Sequence, residues 1–335
     1  MNAGGQFVAP GFVDVHCHGD AVTRFFDDPE AVAINLLRQG STTVLATLGY
    51  PDMAPDLVGQ VRRFKASLGP WSRELVAGVH LEGPYVNRKY GAQTSRGMIK
   101  HPDAAEYRAL LREYGDYIKW WTCAPELPGA LPFIRETVAG GGVVGAGHTE
   151  ASPDEVAAAI SAGLSVITHW SNATGNPRAA AYAGTRCPGI DEAALVFDEL
   201  STEIIPDEKG LHVHPLMARL LLKAKGPDRI LIITDAGYKR PDDPPAPSGA
   251  ARDVSIDADG NLAGSRLSMA GAARNFRRFT GCSWPELFRM AALNAARLLK
   301  LDDRIGSIAV GKQANLIVFA DDLTVSQSFL NGRTL

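Results

Sequence analysis

Cysteine is scarce and scattered in this chain: Cys17, Cys123, Cys187 and Cys282 make no CxxC pair. A disulfide-built scaffold is therefore not expected, and the four read as thiols in a reducing cytoplasm. No apolar run reaches about 18 residues, so no membrane span is expected. The N-terminal stretch lacks a basic segment followed by an uninterrupted apolar one, which argues against a signal peptide. Neither sign of charge dominates, with 34 Lys and Arg against 37 Asp and Glu. There is no basic stripe interleaved with aromatics, so neither nucleic acid nor a membrane is an expected partner. Internal repeats and low-complexity tracts are missing too. What remains is a 335-residue chain, 45% hydrophobic and 21% charged, with the composition of a globular protein. It is long enough for one domain of about 250 residues plus a smaller one.

Apolar β-type runs recur at residues 12–15, 42–48, 75–81, 117–122, 143–146, 165–168, 203–205 and 229–234. Helical patterns separate most of them, most clearly at 29–38, 103–113, 131–139, 154–162 and 215–225. Ser152 ahead of Pro153 is an N-cap signal, and Gly40, Gly140 and Gly163 stand where helices should stop. Eight strands alternating with helices predict an α/β fold, the (β/α)8 TIM barrel. The seventh strand has the poorest signal, because the stretch before it, 179–200, is long and broken by Gly and Pro. The barrel is expected over residues 9–300, with a loop and hairpin at 238–265 that includes Asp259-Gly260. Helices are expected at 269–280 and 284–299. Residues 1–8 and 301–335 should form a small, reduced β-sandwich-like domain, mostly from the C-terminus.

Histidines and carboxylates fall one after another at the ends of these strands. His16 and His18 follow the first, Glu82 the third, His148 the fifth, His169 the sixth and Asp235 the eighth. In such a barrel the C-terminal strand ends share one mouth. His16 and His18 lie on one face of their strand, and Cys17 points the other way. Neutral imidazoles and a carboxylate suit a divalent cation, and a further carboxylate suits proton transfer. Burying so many ionisable groups without a cation would be costly. The pattern predicts a metal-dependent hydrolase. Of the other histidines, His80 suits a supporting position, His101 solvent, and His214 a helix start. His212 follows the seventh strand, at the mouth, and is a candidate substrate contact.

The segments PGFVDVHCHG, HLEGPYVN, APE, GAGHTEA, THWSNA, GLHVHP, TDAG, LAGSRLSM and GSIAVGKQANLIVF together resemble the N-acetylglucosamine-6-phosphate deacetylase family of the amidohydrolase superfamily. The resemblance runs from about residue 9 to the end. It implies that Glu82, His148 and His169 bind a principal metal and that His16 and His18 bind a second. One or two ions per subunit are implied: zinc first, with iron, manganese and cobalt suited to the same donors. It implies Asp235 as the catalytic acid/base. Ala92, Gln93, Asn172, Ala173 and His212 would contact the substrate. Arg186 would bind its phosphate, in the family across a homodimer interface, and Leu267, Ser268 and Met269 would line the sugar pocket. The implied substrate is an N-acetylated amino sugar phosphate, deacetylated in the cytoplasm.

The chain also departs from the family. Gln93 stands for a histidine and can donate but not carry charge. Lys209 replaces an aspartate before GLH, Cys187 follows Arg186 where the family has Glu, and the family's N-terminal β-segment is nearly absent. A related sugar such as N-acetylgalactosamine-6-phosphate, another N-acyl or cyclic amide, or a catalytically silent binding barrel are the alternative readings.

Overall fold

The computed structural model describes residues 3–92, 97–176, 182, 184–238, 251–257 and 259–335. A short strand, β1 (Phe7–Pro10), precedes eight that alternate with helices. They are β2 (Phe12–Cys17), β3 (Ser41–Gly49), β4 (Val76–Glu82), β5 (Ile118–Cys123), β6 (Val143–Ala146), β7 (Val166–Ile167), β8 (Ser201–Ile204) and β9 (Ile230–Ile232). Each pairs in parallel with the next. Just past β9 the chain meets β2 again. Cys17 and Ala236 form a parallel bridge, and the Asp235 N–H donates to the His16 carbonyl at 2.9 Å. The Thr234 hydroxyl donates to the Asp14 carboxylate at 2.6 Å across the same seam. The expected eight-stranded parallel barrel is therefore present.

Every residue of β2 and β3 is buried, as strands covered by helices on one side and a filled interior on the other require. The helices carry visible punctuation. Ser152 and Glu155 form a reciprocal capping box, Pro153 occupies the first turn, and Gly163 ends helix Pro153–Ala162 at φ 110°. Helices Leu57–Ser67 and Ile190–Val196 also form, the second inside the Gly- and Pro-broken stretch before β8. The single helix expected over 284–299 is instead interrupted by a π turn, Arg289–Leu293. Just beyond it Asn294 donates to the carbonyls of Pro227 and Ile230, both at 2.8 Å, tying this segment to the start of β9.

Outside the barrel, β10 (Val254–Ile256) and β11 (Leu262–Ser265) make a hairpin that touches the mouth through a bridge between Ala236 and Ser265. A separate antiparallel sheet has the order β1, β12 (Leu316–Phe319), β13 (Val325–Phe329). Phe7 stacks on Phe319 at 5.5 Å, and Phe288 meets Phe319 at 5.3 Å and Phe12 at 5.6 Å. This aromatic column joins the small sheet to the first barrel strand. No described helix is long and apolar enough to cross a membrane.

Candidate active site

The six strand-end residues converge. Glu82 is the last residue of β4, and its carboxylate is the hub. Its Oε1 lies 2.8 Å from His148 Nε2, 3.1 Å from His169 Nε2 and 3.4 Å from His16 Nε2. Its Oε2 lies 3.3 Å from His18 Nε2. Asp235 closes the ring, with Oδ1 3.2 Å from His18 Nε2 and 3.6 Å from His16 Nε2. Five of the six are buried, and His18 is partly buried. Two three-donor groups therefore share one carboxylate: His16, His18 and Glu82, and Glu82, His148 and His169.

The hydrogen bonds on the far sides of the rings fix what faces inward. His148 Nδ1 sits 3.2 Å from the Tyr90 carbonyl, and His169 Nδ1 sits 3.2 Å from the Asn172 carbonyl. A carbonyl only accepts, so both rings carry hydrogen on Nδ1, and in its neutral form each presents an Nε2 lone pair to the hub. Those two Nε2 atoms lie 3.1 Å apart, which is unfavourable unless a positive charge lies between them and Glu82. His16 Nε2 is buried with no hydrogen-bond partner. This donor set fits a divalent cation, and acceptors on Nδ1 are the usual support for metal-binding histidines.

Without a cation the site orders its own charges. Burial opposes protonation of His18, but the Asp235 and Glu82 carboxylates outweigh it and push His18 up to about 9. Burial also opposes charge on His16, and the same two carboxylates raise it well above the ordinary histidine value. In turn the histidines hold Glu82 well below the usual carboxylate range and lower Asp235 against the effect of burial.

The backbone is strained at the same places. His148, His169 and Asp235 have φ of 50°, 30° and 46°, in the left-handed region that side chains other than glycine seldom adopt. Gly91, at φ 107°, lets its loop close on the site: a Cβ there would lie 2.3 Å from His148 Nδ1. His80, expected as a supporting residue, is fully buried beneath His16, with Nε2 2.9 Å from the Thr122 hydroxyl. Burial and the charge on His16 hold its pKa well below the ordinary value.

Around the site lies a cleft of about 530 Å³. Ala92, Asn172, Ala173 and His212 line it, together with Tyr50, Tyr90 and Tyr238, which the sequence did not single out. Gln93 lies outside the described residues. Leu267, Ser268 and Met269 are not on the cleft wall. Leu267 and Met269 are buried in the core, and the Ser268 hydroxyl caps helix Met269–Thr280 by accepting from the Gly271 N–H at 3.1 Å. The preceding residues 261–264 form the wall instead. Arg186 is also absent from this chain's own cleft. Its side chain is exposed, pairs with Glu192 at 2.6 Å and borders a second concavity with Asn176 and Cys187.

Two residues ahead of Lys209, Asp207 holds the loop that carries His212. Asp207 Oδ2 accepts from the His212 main-chain N–H at 2.7 Å and lies 3.2 Å from His212 Nδ1. Its Oδ1 accepts from the amides of Lys209 and Leu211 at 3.1 and 2.9 Å. Sequence reading also passed over Glu203, within β8, which touches His16. A glutamate inside a strand run that should be buried was the only available signal.

The sequence profile of the amidohydrolase family matches residues 7–335. The N-acetylglucosamine-6-phosphate deacetylase of Bacillus subtilis (strain 168) is 33% identical over 341 residues, spanning 96% of this chain and 83% of that protein. The crystal structure of N-acetylglucosamine-6-phosphate deacetylase from Pasteurella multocida superposes with a TM-score of 0.85 at 28% identity, covering 100% of this chain and 88% of that one. A mutant of the Mycobacterium smegmatis N-acetyl-D-glucosamine-6-phosphate deacetylase, in complex with N-acetyl-D-glucosamine-6-phosphate, superposes with a TM-score of 0.79 at 30% identity, over 98% of this chain and 86% of that one.

Proposed function

This chain belongs to the amidohydrolase family, and on that basis we propose that it is a metal-dependent deacetylase converting N-acetylglucosamine-6-phosphate to glucosamine-6-phosphate and acetate. The observation that carries the reading is the pair of Nε2 lone pairs, His148 and His169, closing on Glu82 with Asp235 at the opposite edge of the same hub. Glu82, His148 and His169 would hold one divalent ion, and His16, His18 and Glu82 a second. Zinc is the metal proposed, and the same donors would also accept iron, manganese or cobalt.

A cation bound there supplies Lewis acidity, lowering the pKa of water toward neutrality and polarising an amide carbonyl. Asp235, held ionised against burial by the neighbouring histidines, would accept the proton of the attacking water. It then returns that proton to the departing amine, so that one carboxylate serves as base and then acid. Asn172, Ala173 and Ala92 are proposed to contact the acetamido sugar, with the Gln93 amide able to donate to its carbonyl. His212, anchored through Nδ1 on Asp207, offers Nε2 to the bound ligand.

Arg186 is proposed to bind the phosphate through its planar fork. Because it is exposed and outside its own cleft, it would serve the cleft of a second copy, in a homodimer. The scattered cysteines, joined by no disulfide, support a cytoplasmic setting.

The test is acetate release by protein of measured metal content. The substrates are N-acetylglucosamine-6-phosphate, its C4 epimer, and the same sugars without phosphate. Asp235→Asn should keep fold and metal and lose about 10³-fold in kcat. Near-full turnover by that variant would remove Asp235 from the mechanism, and equal kinetics on phosphorylated and unphosphorylated sugars would remove the phosphate.

A further inference from the structure

Glu203 lies within β8, fully buried. A carboxylate in that position is costly unless donors meet its oxygens. Its Oε2 receives two, while Oε1 is buried without a partner. The main-chain N–H of His169 donates at 3.1 Å, and His16 Nδ1 lies at 3.2 Å. The Glu203 carbonyl also accepts from the Trp170 N–H at 2.9 Å. One residue of β8 thus grips the ring at the end of β2 and the strained turn that carries His169.

The double contact fixes a tautomer. An oxygen already taking an amide hydrogen is an acceptor, so His16 must carry its hydrogen on Nδ1. When the ring is neutral, as cation binding requires, its Nε2 lone pair faces Glu82 and Asp235, two carboxylates with no hydrogen to give. His16 and His169 belong to different three-donor groups, which meet only at Glu82. We infer that Glu203 is a positioning residue that commits His16 to cation binding and links the two donor groups from beneath. It stands outside the cleft lining and touches no reacting atom. The inference rests on the metal part of the function proposed above.

Cobalt(II) titration of the metal-depleted protein, followed by visible absorption and equilibrium dialysis, tests it. The variants are Glu203→Gln, which keeps one acceptor, and Glu203→Met, which keeps none. Wild type should bind two ions per chain. In Glu203→Gln one of the two should bind about 10- to 100-fold more weakly, the usual cost of losing a partner behind a ligand. Glu203→Met should lose more, and the other ion should change far less in both. A purely structural role would change the melting temperature of the metal-free variants and leave both affinities alone. If Glu203→Met does not fold, the Gln variant decides. Two ions bound with wild-type affinity in the folded variants would overturn the inference while leaving the metal reading intact. Wild-type protein that binds no cobalt would overturn both.

Discussion

Each of the three imidazoles His16, His148 and His169 has an acceptor at Nδ1: a carboxylate for the first and main-chain carbonyls for the other two. That shared arrangement turns three Nε2 atoms toward one glutamate. His212 is held in the same way by Asp207, which makes a residue-scale prediction possible. Asp207→Ala removes the acceptors for both the ring and the main chain of His212. Losing that orientation should cost about 1.4 kcal/mol of substrate binding, a tenfold rise in KM with kcat nearly unchanged. Steady-state kinetics check it, and an unaltered KM would show that the loop holds His212 without Asp207. At this scale the six strand-end residues were legible because they close apolar runs, His16 and His18 as a pair on one strand face and the others singly. Glu203 and Asp207 were not, since their meaning depends on which ring lies against them, and sequence spacing does not encode that. Leu267, Ser268 and Met269 stand in a recognisable motif, but the Ser268 side chain is committed to a helix cap.

Helices with chemical punctuation were the readable elements. Pro29–Arg38 has Asp28 accepting from Ala31 N–H and Pro at its first position, and Pro215–Lys225 has Pro at its start. The capping box at Ser152 gives a prediction at this scale. Ser152→Ala removes the hydroxyl that accepts from Glu155 N–H and should cost about 1 kcal/mol of stability. A downward shift of the urea midpoint with an unchanged slope would show it, and an unshifted midpoint would mean that the Glu155 half of the box suffices. The least legible elements were those that depend on distant partners. Strand β8 begins at Ser201, two residues before the expected start, so Glu203 sits within the strand and not at its entry. The π turn at Arg289–Leu293 has no local sequence mark. It adjoins Asn294, whose amide reaches carbonyls more than sixty residues away in sequence.

At the scale of the whole molecule, alternation of strand and helix sufficed to predict the barrel, because closure follows from strand count and parallel pairing. The place of Arg186 could not be read that way. Its distance from its own cleft depends on how a surface segment packs, and its proposed use depends on a second copy. The account as a whole stands on a cation site gathered from β2, β4 and the turns after β6 and β7. Removing the cation takes away a ligand that only the folded chain gathers, so chelation should lower the melting temperature. An ion present at about a thousand times its Kd adds about 4 kcal/mol to stability. The most direct measurement takes one preparation, strips it with chelator, restores metal in steps, and follows bound ion and acetate released from N-acetylglucosamine-6-phosphate together. Acetate release should be abolished in the stripped protein and return in proportion to ion bound. Full activity without metal, or silence with the site filled, would contradict the account.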